Sequence, residues 1–203
     1  MNRVELLSRL GIYVNTRFLP QTLCDRFSQT MAPASGEAAE VYAGAGSGVD
    51  TSIRRTREMI VPAELRAEFQ SRLAAAMPAL TGHFARPLTV SDDLAFLVYE
   101  PGDFFKPHRD RASRDAAAGG NETHRRRVSV VVFLNRQASP PGDLEYAGGD
   151  LTLFRLIDDP AWRDVRFSVA AEPGMLVAFD STTLHEVTPV TAGLRMTVVE
   201  WLF

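Results

Sequence analysis

Residues 104–115 read "FFKPHRDRASRD" and place His108 and Asp110 two positions apart. On an extended segment, residues i and i+2 point to the same side, so an imidazole and a carboxylate there can reach one ion. Taken alone, His-x-Asp is a weak motif, common in turns and exposed ion pairs. His185, in "FDSTTLHEVTPV", supplies a third donor. It lies between the apolar run "GMLVAF" and the last apolar segment, where a barrel strand meets its mouth. Two histidines and one carboxylate are the facial set of non-heme iron(II), which leaves coordination positions open for other ligands. Neutral imidazoles are needed for such binding, so affinity should fall in acid.

Arg195 follows ten residues after His185, and Thr197 two further on. In a strand, Arg195, Thr197, Val199 and Trp201 share one face. A cation facing a barrel interior is costly unless it meets an anion. A guanidinium with a hydroxyl beside it suits a carboxylate. The pattern asks for a ligand with a carboxylate at one end and metal-chelating oxygens at the other.

These side chains need strands to hold them, and the second half of the sequence reads as strands. Short β-rich runs punctuated by Gly and Pro occur at 94–100, 127–135, 148–154, 165–171, 174–180 and 194–202. Before them, 11–19 reads as a strand and Pro20 opens a helix to about Met31 carrying Leu23, Phe27 and Met31 on one face. Residues 32–52 read mostly as loop. The clearest helix covers 61–80, started by Pro62, with Leu65, Phe69, Leu73, Met77 and Leu80 at helical spacing and Pro78 as a possible kink. The expected architecture is a β-rich α+β jelly roll, or cupin-like barrel, backed by N-terminal helices. One domain over 1–203 is expected, with 1–87 as helix and strand support and 88–203 as the catalytic core.

His108-x-Asp110, His185 and Arg195 together resemble the core of the 2-oxoglutarate- and iron(II)-dependent oxygenases. The segments "YEPGDFFKPHRD", "VSVVVFLN", "GGDLTLF" and "PGMLVAFDSTTLHEVTPVTAGLRMTVVEW" resemble the prolyl 4-hydroxylase-like branch in matching order. The resemblance covers residues 94–203, and "SIRRT" (52–56) is similar to a segment near the substrate cleft. It implies a double-stranded β-helix in which His108, Asp110 and His185 hold Fe(II). It also implies that Arg195 binds the distal carboxylate of 2-oxoglutarate, with Thr197 and Tyr99 as helpers. Phe133 departs from a tyrosine found at that place in some members. Val131, Phe133 and Asn135 alternate on one strand face and are expected to line the same pocket.

The implied activity is a dioxygenase that hydroxylates an unactivated C–H bond while 2-oxoglutarate is decarboxylated to succinate and carbon dioxide. Dioxygen is the oxidant and ascorbate an auxiliary reductant. The resemblance favours a prolyl or other residue within a peptide or protein as substrate. A free amino acid or small metabolite is the alternative, and a cupin-type metal enzyme that does not use 2-oxoglutarate is the competing class.

The remaining candidates border this site. Arg54 and Arg55, with the arginines of 109–127 including Arg127, form a basic rim that could select an anionic substrate. Loops 43–52 and 136–149 are candidate lids. Asp180 and Ser181 are candidates to orient His185. His83 and His124 read as surface residues, and Trp201 as core. The 203-residue chain is 45% hydrophobic and 23% charged with net charge −3. That gives no case for nucleic acid or a membrane surface as partner. Cys24 is the only cysteine, which excludes an internal disulfide and a cysteine-rich zinc site and fits a cytoplasmic location.

Overall fold

The computed structural model describes residues 3–32, 37–38, 41–43, 46–48, 50–91, 94–111 and 123–203. The strands before the long helix are short: β1 (Tyr13–Asn15), β2 (Glu37–Ala38), β3 (Val41–Ala43), β4 (Gly46–Gly48), β5 (Arg54–Arg55) and β6 (Arg57–Glu58). After it come β7 (Ala95–Tyr99), β8 (Phe104–His108), β9 (Val128–Phe133), β10 (Tyr146–Gly148), β11 (Leu151–Phe154) and β12 (Arg166–Val169). The last four are β13 (Leu176–Asp180), β14 (His185–Val187), β15 (Val190–Gly193) and β16 (Arg195–Leu202). Three α-helices precede the main strands: α1 (Arg3–Arg9), α2 (Gln21–Met31) and α3 (Ala63–Phe84).

The major sheet has the order β1-β13-β9-β16-β7-β6-β2, and the minor sheet the order β12-β11-β14-β8-β5. All their pairings are antiparallel. This is the jelly-roll arrangement expected from the sequence. Within the segment before residue 88, β1 and β6 extend the major sheet and β5 borders the metal-motif strand β8.

The central strands of the major sheet are buried on both faces, which explains their unbroken apolar runs. Strand periodicity then sorts their side chains. Phe96, Val98, Val130, Val132, Met196 and Val198 face the helices, where they meet Leu23, Phe27, Leu65, Phe69 and Leu73. Phe69 packs edge-on against Phe18 and Phe96, at 5.8 and 6.3 Å between ring centroids. The opposite set, including Leu97, Tyr99, Val131 and Phe133, turns into the barrel. A register slip of one residue would exchange these two sets and send Arg195 into the helix-facing core.

Several expectations need adjustment. The strand at 11–19 shortens to three residues, because the chain turns at 16–19 to enter α2. Pro20 and Pro62 are the residues immediately before their helices rather than the first residues within them. α3 runs through Pro78 to Phe84 and ends on Ala85 in the left-handed region, with φ 49°. Met77 is only half-buried, while the other four stripe residues are buried. The stretch at 32–52 contains β2 and the β3–β4 pairing, and the rest of it lies partly outside the described residues. Arg114, Asp115 and Glu122 of the arginine-rich segment also lie outside them. Among the described residues, no helix is long and apolar enough to cross a membrane.

Candidate metal and carboxylate site

His108 ends β8 and His185 begins β14, and the two strands pair with His185 opposite His108. The imidazole centroids are 4.2 Å apart. Asp110 follows where β8 ends, so its carboxylate swings under both rings. His108 Nε2 lies 3.4 Å from Asp110 Oδ1, and His185 Nε2 lies 3.6 Å from Asp110 Oδ2. One donor atom from each residue falls within 4.8 Å of the others.

The tautomers follow from the backbone. His108 Nδ1 is 2.8 Å from the Lys106 carbonyl, and His185 Nδ1 is 2.9 Å from the Thr183 carbonyl. A carbonyl only accepts, so each Nδ1 carries its proton and donates it. Each Nε2 is then left with a lone pair facing the Asp110 oxygens. Acceptors converging in this way suit a cation between them, and His₂-carboxylate donors suit iron(II). Aromatic rings fix the imidazoles from outside. Phe105 stacks on His108 at 3.4 Å between centroids, and Phe179 meets His185 at 4.7 Å.

Protonation favours the same role. Burial, reinforced by neighbouring His108, pushes His185 down to about 4, so it is neutral at physiological pH. Burial works to raise Asp110. The positive charge that the facing His185 takes up in acid, the contact from His108 and a 2.6 Å hydrogen bond donated by the Ser129 hydroxyl more than reverse this, and hold the carboxyl well below its usual range. Ser129 also lies 3.0 Å from the Ser181 hydroxyl, and both serines are fully buried.

Arg195 is 1% exposed. Its guanidinium lies 4.9 Å from the Tyr99 ring centroid and 5.4 Å from that of Phe133. It donates a long 3.4 Å hydrogen bond to the Thr197 hydroxyl, and its Nε has no hydrogen-bond partner. No carboxylate of the described residues pairs with it. A buried guanidinium without a counter-ion is a strong demand for an anion. Gly149, at φ 63°, leaves room for it, since a Cβ there would come 2.8 Å from Arg195 Cδ. The residues present therefore fit both an iron(II) ion and the carboxylate of a 2-oxo diacid.

One cleft is lined by Arg54, Tyr99, His108, Asp110, His185, Arg195 and Thr197, among others. Those seven residues singled out in the sequence meet there. Val131 lines the cleft too, whereas Phe133 lies behind Arg195. Asn135 stays out of it. Its amide donates to the Leu144 and Leu194 carbonyls at 2.8 and 2.6 Å and accepts from Met196 N at 3.0 Å, which makes it a backbone clamp. Arg127 is exposed and absent from the cleft lining, while the neighbouring Arg126 is buried over the Trp201 ring at 3.6 Å. Arg54 lies over Phe105 at 4.9 Å, at the metal side of the cleft.

Trp201 is half-buried and forms part of the cleft wall rather than of the core. Asp180 accepts from Thr182 N and Thr182 Oγ1 and pairs with Arg86 at 3.1 Å, so it shapes the turn before His185. Ser181 acts toward Asp110 through Ser129, not toward His185. His83 packs its ring against Tyr13 and Phe84. The His124 carbonyl accepts from Arg111 Nε. Within loop 136–149, Gln137 donates to the Gly148 carbonyl and the Asp150 carboxylate, and β10 pairs with β15. Sequence reasoning missed Ser129 and Tyr146. Ser129 had a signal, a single hydroxyl inside the valine run "VSVVVF".

Known proteins resemble this chain in sequence and fold. A PKHD-type hydroxylase of Shewanella oneidensis is 34% identical over 125 residues, covering 58% of this chain and 49% of that protein. The chain thus spans about half the length of this curated relative. A Pseudomonas putida prolyl-4-hydroxylase superposes with a TM-score of 0.66 at 24% identity, covering 98% of this chain and 95% of that one. A prolyl hydroxylase of Trichoplax adhaerens, solved with a peptide fragment of the hypoxia inducible factor oxygen degradation domain, gives 0.69 at 19% identity and covers 98% and 86%. These likenesses carry the fold. Residues 94–203, which hold all three converging donors and Arg195, match the 2OG-Fe(II) oxygenase superfamily, and the chain belongs to that family.

Proposed function

We propose that the protein is an Fe(II)- and 2-oxoglutarate-dependent dioxygenase that hydroxylates a prolyl or other residue within a peptide. The observation that carries this reading is the buried, unpaired Arg195 in the same cleft as His108, Asp110 and His185. His108, Asp110 and His185 would hold the metal. When bound, iron(II) couples the decarboxylation of 2-oxoglutarate by dioxygen, giving succinate and carbon dioxide, to transfer of the second oxygen atom into a substrate C–H bond.

The chain's own residues bind and orient. Arg195 and Thr197 hold the distal carboxylate, which fixes the keto-acid end toward the metal donors. Tyr99 covers one face of the guanidinium, and Leu97, Val131 and Val199 keep the cleft wall apolar and limit water. Arg54 and Trp201 stand in the wall where substrate would enter, and Arg54 supplies positive charge for an acidic neighbour of the target residue. Hydroxylation is supported by the name of the curated relative, and the prolyl choice by the prolyl hydroxylases among the structural neighbours, one of them peptide-bound. A cytoplasmic location fits the single, buried and free Cys24.

The test is succinate formation from 2-oxoglutarate with Fe(II), oxygen and ascorbate, with prolyl peptides or free amino acids added. The expected result is peptide-stimulated turnover with a one-oxygen mass gain on the peptide, lost in His108→Ala. Stimulation by free amino acids alone would move the substrate to the small-molecule class. No turnover with any of them, together with no 2-oxoglutarate binding, would overturn the assignment.

A further inference from the structure

Tyr146 is 1% exposed on β10, where it pairs with Gly193 two residues before Arg195. Its hydroxyl is buried and has no formed hydrogen bond. Arg195 Nε, also buried, has none either. The two side chains are neighbours across Gly149, and the positive charge of Arg195 opposes the upward shift that burial imposes on the tyrosine hydroxyl. Gly149 brings them together. A Cβ at that position would meet Arg195 Cδ at 2.8 Å and Tyr146 Cε2 at 3.4 Å.

The other groups that touch the guanidinium are neutral, and the nearby Asp150 carboxylate, which acts on Tyr146, accepts a hydrogen bond from Gln137 at 2.6 Å. Tyr99 and Phe133 offer it aromatic rings, and Thr197 offers a hydroxyl at 3.4 Å. Phe133 brings no oxygen. A hydroxyl can steer a guanidinium without cancelling its charge, whereas a carboxylate would compete with the ligand. Tyr146 does not line the cleft itself, so its effect passes through Arg195.

We propose that Tyr146 is a positioning residue for Arg195, setting the guanidinium to receive the distal carboxylate of the 2-oxo diacid. This rests on the 2-oxoglutarate reading above. It predicts that Tyr146 matters for a second carboxylate and not for the keto-acid end.

The experiment is calorimetric titration of Mn(II)-loaded protein with 2-oxoglutarate and, separately, with 2-oxopentanoate. The second acid keeps the five-carbon chain and the keto acid but lacks the distal carboxylate. Tyr146→Phe removes one oxygen from a buried ring. The expected result is a Kd for 2-oxoglutarate raised about fivefold, with 2-oxopentanoate unchanged within about twofold. An unchanged Kd for 2-oxoglutarate overturns the inference, as does an equal loss for both acids, which would mark general loosening. A wild type that binds neither acid overturns the cosubstrate reading as well. A wild type that binds 2-oxoglutarate beside an unaffected Tyr146→Phe overturns this inference alone.

Discussion

His108 and His185 sit opposite one another across the β8–β14 pair, and each donates Nδ1–H to the carbonyl two residues before it. One local device, used on both strands, thus aims two Nε2 lone pairs at the Asp110 carboxylate. Strand pairing brings together residues far apart in sequence, and the local carbonyl contacts fix their tautomers.

The His185 shift makes metal-free stability depend on pH. Its folded pKa, about 4, lies below the ordinary imidazole value of 6.5. Between those values the unfolded chain takes up a proton that the folded chain refuses, so stability falls as pH drops from about 6.5 to about 4. Below that, the depressed Asp110 adds a further loss as its carboxyl is protonated. Urea midpoints of the metal-free protein should decline over this window. His185→Gln should flatten the upper part of the decline, and an equal slope in both proteins would contradict the account.

Ser129→Ala removes the hydroxyl that holds Asp110 Oδ2 at 2.6 Å. Loss of such an outer partner typically weakens metal binding about 10–100-fold. Competition with a chelating dye should show that loss for Mn(II) or Fe(II). Metal affinity equal to wild type would mean that the serine pair is only filling space.

Gly149→Ala should damage the carboxylate end of the site. Its φ of 63° disfavours any side chain, and the new Cβ would collide with Arg195 Cδ and with Val190 Cγ2, at 2.8 and 3.0 Å. The backbone strain alone costs about 1 kcal/mol. We expect a lower melting temperature and a 2-oxoglutarate Kd raised about tenfold, while metal affinity is kept. Calorimetry and thermal denaturation read both effects.

Cys24 should be unreactive in the folded protein. It is fully buried, and burial pushes its thiol up to about 11. At pH 8 only about one molecule in a thousand carries the thiolate. Iodoacetamide labelling should therefore follow unfolding in denaturant, and rapid labelling of native protein would contradict the buried position beneath Gly174.

Much of this site was legible because its chemistry obeys strand periodicity. The Arg195, Thr197, Val199, Trp201 face of β16 follows from a two-residue repeat, whereas only His108 of His-x-Asp lies on β8 and Asp110 sits in the bend just after it. The helices were legible from the Leu65–Leu80 stripe and from proline at their starts. What stayed hidden depends on tertiary register. Ser129 could not be joined to Asp110 until β9 was placed, and Tyr146 reads as an ordinary loop tyrosine until β10 pairs with β15. Asn135 alternates with Val131 and Phe133, but the strand ends at Phe133. Its side chain therefore serves the backbone instead of the cleft. Trp201 looked like core because an aromatic in an apolar strand carries no mark of a cleft wall.

The most direct test of the central claim is calorimetric titration of 2-oxoglutarate into wild-type protein with and without Mn(II), beside Asp110→Ala and Arg195→Ala. The account predicts one-to-one binding that requires the metal and is lost in both variants. Binding that ignores the metal, or that survives in Arg195→Ala, would contradict it.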